Sequence, residues 1–320
     1  MMPKSEWGHQ ALPQAAHNLP QAIITHNPPQ AVITILVGVI GMNAWCYRWL
    51  CRFAYMDLPD GVRGRTLGEL ARELGEQSER GELKCGELSE EECRALSVIS
   101  GTEELRNLVL IEYVNDNERS GLAACVFRSE DGEVHCVFRG SEKRGCGVST
   151  DVDWWDNFRA PFCSSVQYAG IERLVHRFRG RKIMFSGHSK GAHNALYALS
   201  VCEGGARALV FNGQGFAPEQ LDGEARRRLR ERGVNYVVCG DAVGSVLYHP
   251  ERRVFVKRKS GENAHALSAF SFDERGEAVE GVRPVWSAAL EWGTRAYLFV
   301  RGRHGKCGNV VNRIASAPHS

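Results

Sequence analysis

The spacing of hydrophobic and polar positions divides the chain into three stretches. Residues 1–41 are rich in Gln, Pro, His and Asn and follow neither a helical nor a strand period, so they are expected to form an extension outside the core. From Trp45 to Tyr55 the aromatic and apolar positions suit a helix, and Thr66 to Gly81 and Ser89 to Ser97 read as charged surface helices. The period then shortens. Leu108 to Val114, Gly121 to Arg128 and Glu133 to Arg139 are β-prone runs separated by Asn-Asp and Glu-Asp-Gly turn signals, the pattern of an antiparallel sheet edge.

Beyond Ser165 helical and strand patterns alternate. A helix is expected from Ser165 to Arg179, a strand from Lys182 to Ser186, a helix from Ala192 to Val201 and a strand from Ala208 to Asn212. A helix from Pro218 to Glu231, a strand from Asn235 to Val238 and a β-prone run from Arg253 to Lys257 follow. Such alternation implies parallel β-α-β crossovers and a central sheet covered on both faces, an α/β architecture with ligands at the carboxyl ends of the strands. One domain over residues 42–300 is expected, with a C-terminal tail at 301–320.

Composition narrows the function classes. The 40 basic residues nearly cancel the 38 acidic ones, which leaves no general field for nucleic acid or an anionic membrane. The run from Arg226 to Arg232 alternates with Glu and Leu and reads as a solvated helix face. Eleven cysteines are scattered without a Cys-x-x-Cys pair, so no metal site is expected, and strand thiols such as Cys125, Cys136 and Cys239 suit a reducing cytoplasm. The apolar run from Ala31 to Met42 is too short to span a bilayer, which takes about 20 apolar residues. Secretion, or anchoring through residues 31–50, is the alternative to the cytoplasm; translation from Met42 is a third possibility.

The chemistry centres on Gly187-His188-Ser189-Lys190-Gly191. Gly-x-Ser-x-Gly alone is a weak signal, but here a strand precedes it and a helix follows, the strand-turn-helix setting a nucleophilic serine requires. A serine hydroxyl needs a base, and the base needs an acceptor that fixes its tautomer. Asp241, after the strand Asn235 to Cys239, is the candidate acid; its other reading is an N-cap for a helix from Ala242 to Leu247. His265 is preferred as base because its loop follows the next strand and can return over the sheet edge. His249 is the second choice, and a solvent-facing loop histidine is the ordinary reading of either. Lys190 N–H and Ser141, which follows the strand at Val137-Phe138-Arg139-Gly140, are the candidate oxyanion donors. Of the adjacent Trp154 and Trp155, one either faces the mouth of the site and touches an acyl chain, or both are wedged between helix and sheet.

Together these residues resemble the class 3 lipases, and more closely the bacterial Mbeg-like branch of lipase-related proteins. The resemblance rests on Phe138-Arg139-Gly140-Ser141, Trp155 with Asp156, Gln167 with Ala169, Phe185 to Gly191 with Asn194, Ala195 and Tyr197, Phe211 to Phe216, Gly240 to Gly244, and His265. Ala54-Tyr55-Met56-Asp57 is similar to the family's opening segment. It implies an α/β-hydrolase fold, Ser189, Asp241 and His265 as catalytic triad, Ser141 and Lys190 as oxyanion hole, and a lid around Trp154 and Trp155. The function expected is hydrolysis of a carboxylic ester, small-molecule or lipid, without metal or organic cofactor, and transient contact with a membrane surface is compatible with it. A non-catalytic interaction protein on the same scaffold and an acyltransferase are the alternatives.

Overall fold

The computed structural model describes residues 42–59, 61–83, 88–116, 119–141 and 165–304, the last four by their backbone alone. Helices α1 (Ala44–Phe53), α2 (Leu67–Glu79), α3 (Glu90–Gly101) and the short α4 (Glu103–Arg106) come first. Thr66 and Ser89 stop the backbone before α2 and α3 by accepting from the amides of Glu69 and Glu92, whose carboxylates accept in return from the amides of the two caps. Strands β1 (Val109–Asp116), β2 (Leu122–Arg128) and β3 (Val134–Phe138) form an antiparallel run. Helix α5 (Tyr168–Arg177), β4 (Ile183–His188), α6 (Lys190–Val201), β5 (Arg207–Phe211), α7 (Gly223–Arg232), β6 (Gly233–Val238) and β7 (Arg252–Val256) complete the sheet, and α8 (Val285–His304) ends the described chain.

The seven strands lie in the order in which they occur, β1 to β7, antiparallel up to β3 and parallel from β3 onwards. This order decides where the helices go. Right-handed crossovers between strands that always step in the same direction put every crossover helix on the same face. Thus α5, α6 and α7 cover one face, packing on Val126, Phe138, Phe185 and Val210, which point to that side. Their strand neighbours Phe127, Val137, Met184, Leu209 and Phe211 point the other way, because side chains alternate along a strand. That second face is covered by α1 to α4 and by Leu267, Ala269 and Phe270. Both faces are covered, as the alternation predicts, but only one of them by crossover helices.

One expectation needs adjusting. The segment from Ala242 to Leu247 forms a single 3-10 turn, Val243–Ser245, and not a helix. No sequence expectation covers α8, which crosses residue 300. Trp154 and Trp155, the extension 1–41 and most of the tail 301–320 lie outside the described residues.

Candidate active site

Strand β4 ends at His188 and α6 begins at Lys190, leaving Ser189 to make the whole turn at φ 59° and ψ −124°. A non-glycine residue holds positive φ at a cost on the order of 1–3 kcal/mol, so the surroundings must enforce it. They do so through close backbone approach. A Cβ on Gly187 would lie 2.3 Å from the Gly191 carbonyl carbon, and one on Gly191 would lie 2.3 Å from the carbonyl oxygen of Phe138. Only glycine lets strand, turn and helix approach so closely. Ser189 N–H donates to the Phe211 carbonyl at 3.0 Å, which ties the turn to β5. The first turn of α6 presents its amides behind the serine, a setting that favours negative charge.

Ser189, His265 and Asp241 meet although 76 residues separate the first two. His265 Nε2 lies 2.9 Å from Ser189 Oγ and Nδ1 lies 2.8 Å from Asp241 Oδ1. A carboxylate only accepts, so Nδ1 carries the proton and Nε2 is the acceptor facing the hydroxyl. The Asp241 side chain is 1% exposed, whereas His265 is 35% exposed. Asp241 faces two partners at once: its Oδ2 accepts from Gly244 N–H at 2.6 Å while its Oδ1 faces the imidazole. A serine, an imidazole and a buried carboxylate in this order can move a proton off the hydroxyl and hold the resulting imidazolium.

His249 lies elsewhere. Its Nδ1 bonds Glu251 Oε1 at 2.7 Å and its Nε2 donates to the Val246 carbonyl at 2.9 Å, with both side chains fully buried. Two acceptors hold its ring at the base of the loop that follows Asp241. Ser141 follows β3, whose Phe138 pairs with Gly187, so it lies at the same end of the sheet as Ser189. Arg139 and Gly140 pass directly against the turn: a Cβ on Gly140 would meet the His188 carbonyl at 2.6 Å. Lys190 is buried. Among the described residues, no group of His, Cys, Asp or Glu is gathered that could hold a metal ion.

Three residues without an individual role in the sequence reading hold His265 in place. His188 Nε2 donates to the His265 carbonyl at 2.7 Å, which leaves Nδ1 to accept from Tyr55 O–H at 2.9 Å. Asn212 Nδ2 donates to the carbonyls of Ala264 and His265 at 3.0 and 3.3 Å, while its Oδ1 accepts from Val238 N–H at 2.9 Å. Asn212 has φ 49°, a conformation that asparagine tolerates better than most side chains. Burial pushes His188 down to about 3, with the neighbouring His265 adding to the effect, so its ring is neutral and its tautomer is fixed by its partners. The residue next to the serine therefore grips the backbone of the imidazole-bearing loop. Tyr55 reaches it from the end of α1, where Arg139 also pairs with Asp57 at 2.8 Å. The one sequence signal for these contacts is the presence of the segments from Ala54 to Asp57, from Phe185 to Gly191 and from Phe211 to Phe216 in the family resemblance.

The Mbeg1-like family model matches residues 99–277, more than half of the chain and all of Ser141, Ser189, Lys190, Asp241 and His265. The chain belongs to the Mbeg1-like family. With the sheet described above, this Mbeg1-like chain has an α/β-hydrolase fold. Among solved structures it is similar to a mutant form of MDLA from Penicillium cyclopium at 10% identity, covering 83% of this chain and 96% of that one with a TM-score of 0.42. It is also similar to the mono- and diacylglycerol lipase of Aspergillus oryzae (12% identity, 74% and 85% covered, TM-score 0.43). A third is nonglycosylated LIP2 lipase of Yarrowia lipolytica (12%, 84% and 94%, TM-score 0.42). Similarity at that level bears on no residue of the site. No curated protein matches the chain.

Proposed function

We propose that this chain is a serine hydrolase of carboxylic esters. The observation that carries the reading is the continuous line of hydrogen bonds from Ser189 Oγ through the His265 ring to Asp241 Oδ1, at 2.9 and 2.8 Å. Ser189 Oγ attacks the ester carbonyl carbon while His265 Nε2 takes its proton. The imidazolium, held by Asp241, gives that proton to the departing alkoxide, leaving an acyl group on Ser189 and a free alcohol. Water then attacks the acyl carbon, His265 accepts its proton and returns it to Oγ, and the carboxylic acid leaves. Lys190 N–H, in the first turn of α6, and Ser141, beyond β3, are the donors assigned to the oxyanion in each step.

A fluorophosphonate probe forms a covalent bond only with an activated serine, and it tests the assignment directly. Wild type is expected to label and to hydrolyse short p-nitrophenyl esters, and Ser189→Ala to do neither. Labelling that persisted unchanged in Ser189→Ala would remove the nucleophile from this reading. A folded wild type that neither labels nor turns over would favour a non-catalytic scaffold.

A further inference from the structure

Helix α8 follows the region matched by the family and carries apolar residues on two sides. Its inner side is anchored. Ser287 and Ser245 hydroxyls bond at 2.8 Å, Thr294 Oγ1 accepts from Leu247 N–H at 2.9 Å, and Leu298 packs with Ala217 and Leu247. The outer side repeats at the helical period through Val285, Ala288, Ala289, Trp292 and Ala296, all exposed. Val285 is 88% and Trp292 74% exposed, and Val282 just before the helix is 87% exposed. Single apolar residues on a surface need no explanation, but a helical stripe of them marks a docking surface.

Charge selects the occupant. Between residues 281 and 304 the sole carboxylate is Glu291, on the anchored side, where Arg253, Arg283 and Arg295 surround it. Four arginines, Arg283, Arg295, Arg301 and Arg303, accompany it in the same stretch. An aromatic and aliphatic stripe with an excess of arginine and no exposed carboxylate matches an anionic lipid surface, where tryptophan sits in the headgroup region. A second copy of the chain would bring arginine against arginine. No helix among the described residues is long and apolar enough to cross a membrane, so α8 would lie along a surface and not span one.

We propose that α8 lays its Val285 to Trp292 face on an anionic lipid surface and, through its anchors on Ser245 and Leu247, holds the Asp241 loop and the Ser189 site beside that surface. The substrates are then lipid esters presented at an interface, a step that rests on the hydrolase reading above.

Flotation of the full chain with vesicles of phosphatidylcholine and phosphatidylglycerol, against phosphatidylcholine alone, tests it. The mixed vesicles are expected to bind the protein, and added salt to weaken the binding. Trp292→Glu should lower it by on the order of tenfold or more. Val285→Glu, at the other end of the exposed stripe, should lower it in the same way. Both variants should hydrolyse short soluble esters as wild type does. Vesicle binding that is absent, or unchanged in both Trp292→Glu and Val285→Glu, overturns the proposal. A wild-type dimer by light scattering that the same substitutions dissolve overturns it in favour of a second copy. Binding without any Ser189 labelling would support the docking surface while removing the hydrolase reading.

Discussion

Replacing Asp241 by Asn separates two functions that one side chain combines. The change is almost isosteric, and the 1% exposure of the carboxylate leaves water no room to substitute for it. Gly244 N–H points at Oδ2 from 2.6 Å, so the new amide must turn its oxygen that way, since its NH2 there would set donor against donor. The NH2 then faces His265 Nδ1 at the 2.8 Å now spanned by the hydrogen bond, and Nδ1 can only accept. The ring proton moves to Nε2, which lies 2.9 Å from Ser189 Oγ and can no longer take the hydroxyl proton. The corresponding substitution in a serine protease lowers kcat by about 10⁴ through this wrong tautomer, or about 5 kcal/mol in the barrier. The fold should lose far less, about 1–3 kcal/mol, because Gly244 keeps its acceptor. Measuring kcat on a soluble p-nitrophenyl ester alongside thermal unfolding distinguishes the two effects. A folded Asp241→Asn protein with kcat within about tenfold of wild type would refute the tautomer argument and Asp241's role with it.

Other consequences follow from the same geometry. Asn212→Ala removes both donors to the His265 loop and the acceptor for Val238 N–H; kcat should fall on the order of 10²-fold with the fold retained, as for a misplacement of about 1 Å, and unchanged kcat would show that the loop holds itself. Gly191→Ala sets a methyl 2.3 Å from the Phe138 carbonyl oxygen, a backbone atom unable to yield, and should lower stability by about 1–3 kcal/mol or prevent soluble folding; a normal urea midpoint would contradict it. Acid should destabilise the protein through two histidines that burial holds neutral, His188 at about 3 and His135 at about 4. Both lie below the ordinary 6.5, so the unfolded chain takes up protons first: their contribution is complete above about pH 6.5 and is lost as pH falls towards 4 and 3, by about 2 kcal/mol each at pH 5. Urea melts at pH 7 and 5 measure the slope, and His135→Gln, which ends the contact with Tyr47, should flatten it.

Much of the fold was legible because its signals are local. The period change near Leu108 places β1 to β3 within a residue or two, and the alternation after Ser165 gives the parallel strands, since each element's apolar spacing is a property of its own residues. The turn at Ser189 was legible for the same reason: the two glycines and the flanking strand and helix are contiguous. The tertiary structure decided whatever depends on distance through space. Asp241 and His265 were candidates with alternatives until the loop after β7 brought the ring to 2.8 Å from the carboxylate and the buried pair with Glu251 held His249 away. The grip of His188, Tyr55 and Asn212 on the His265 loop has no sequence period, because hydrogen bonds to backbone carbonyls depend on where the chain passes and not on what its side chains are. The order of the sheet, which sends every crossover helix to one face, likewise emerges only when strands pair.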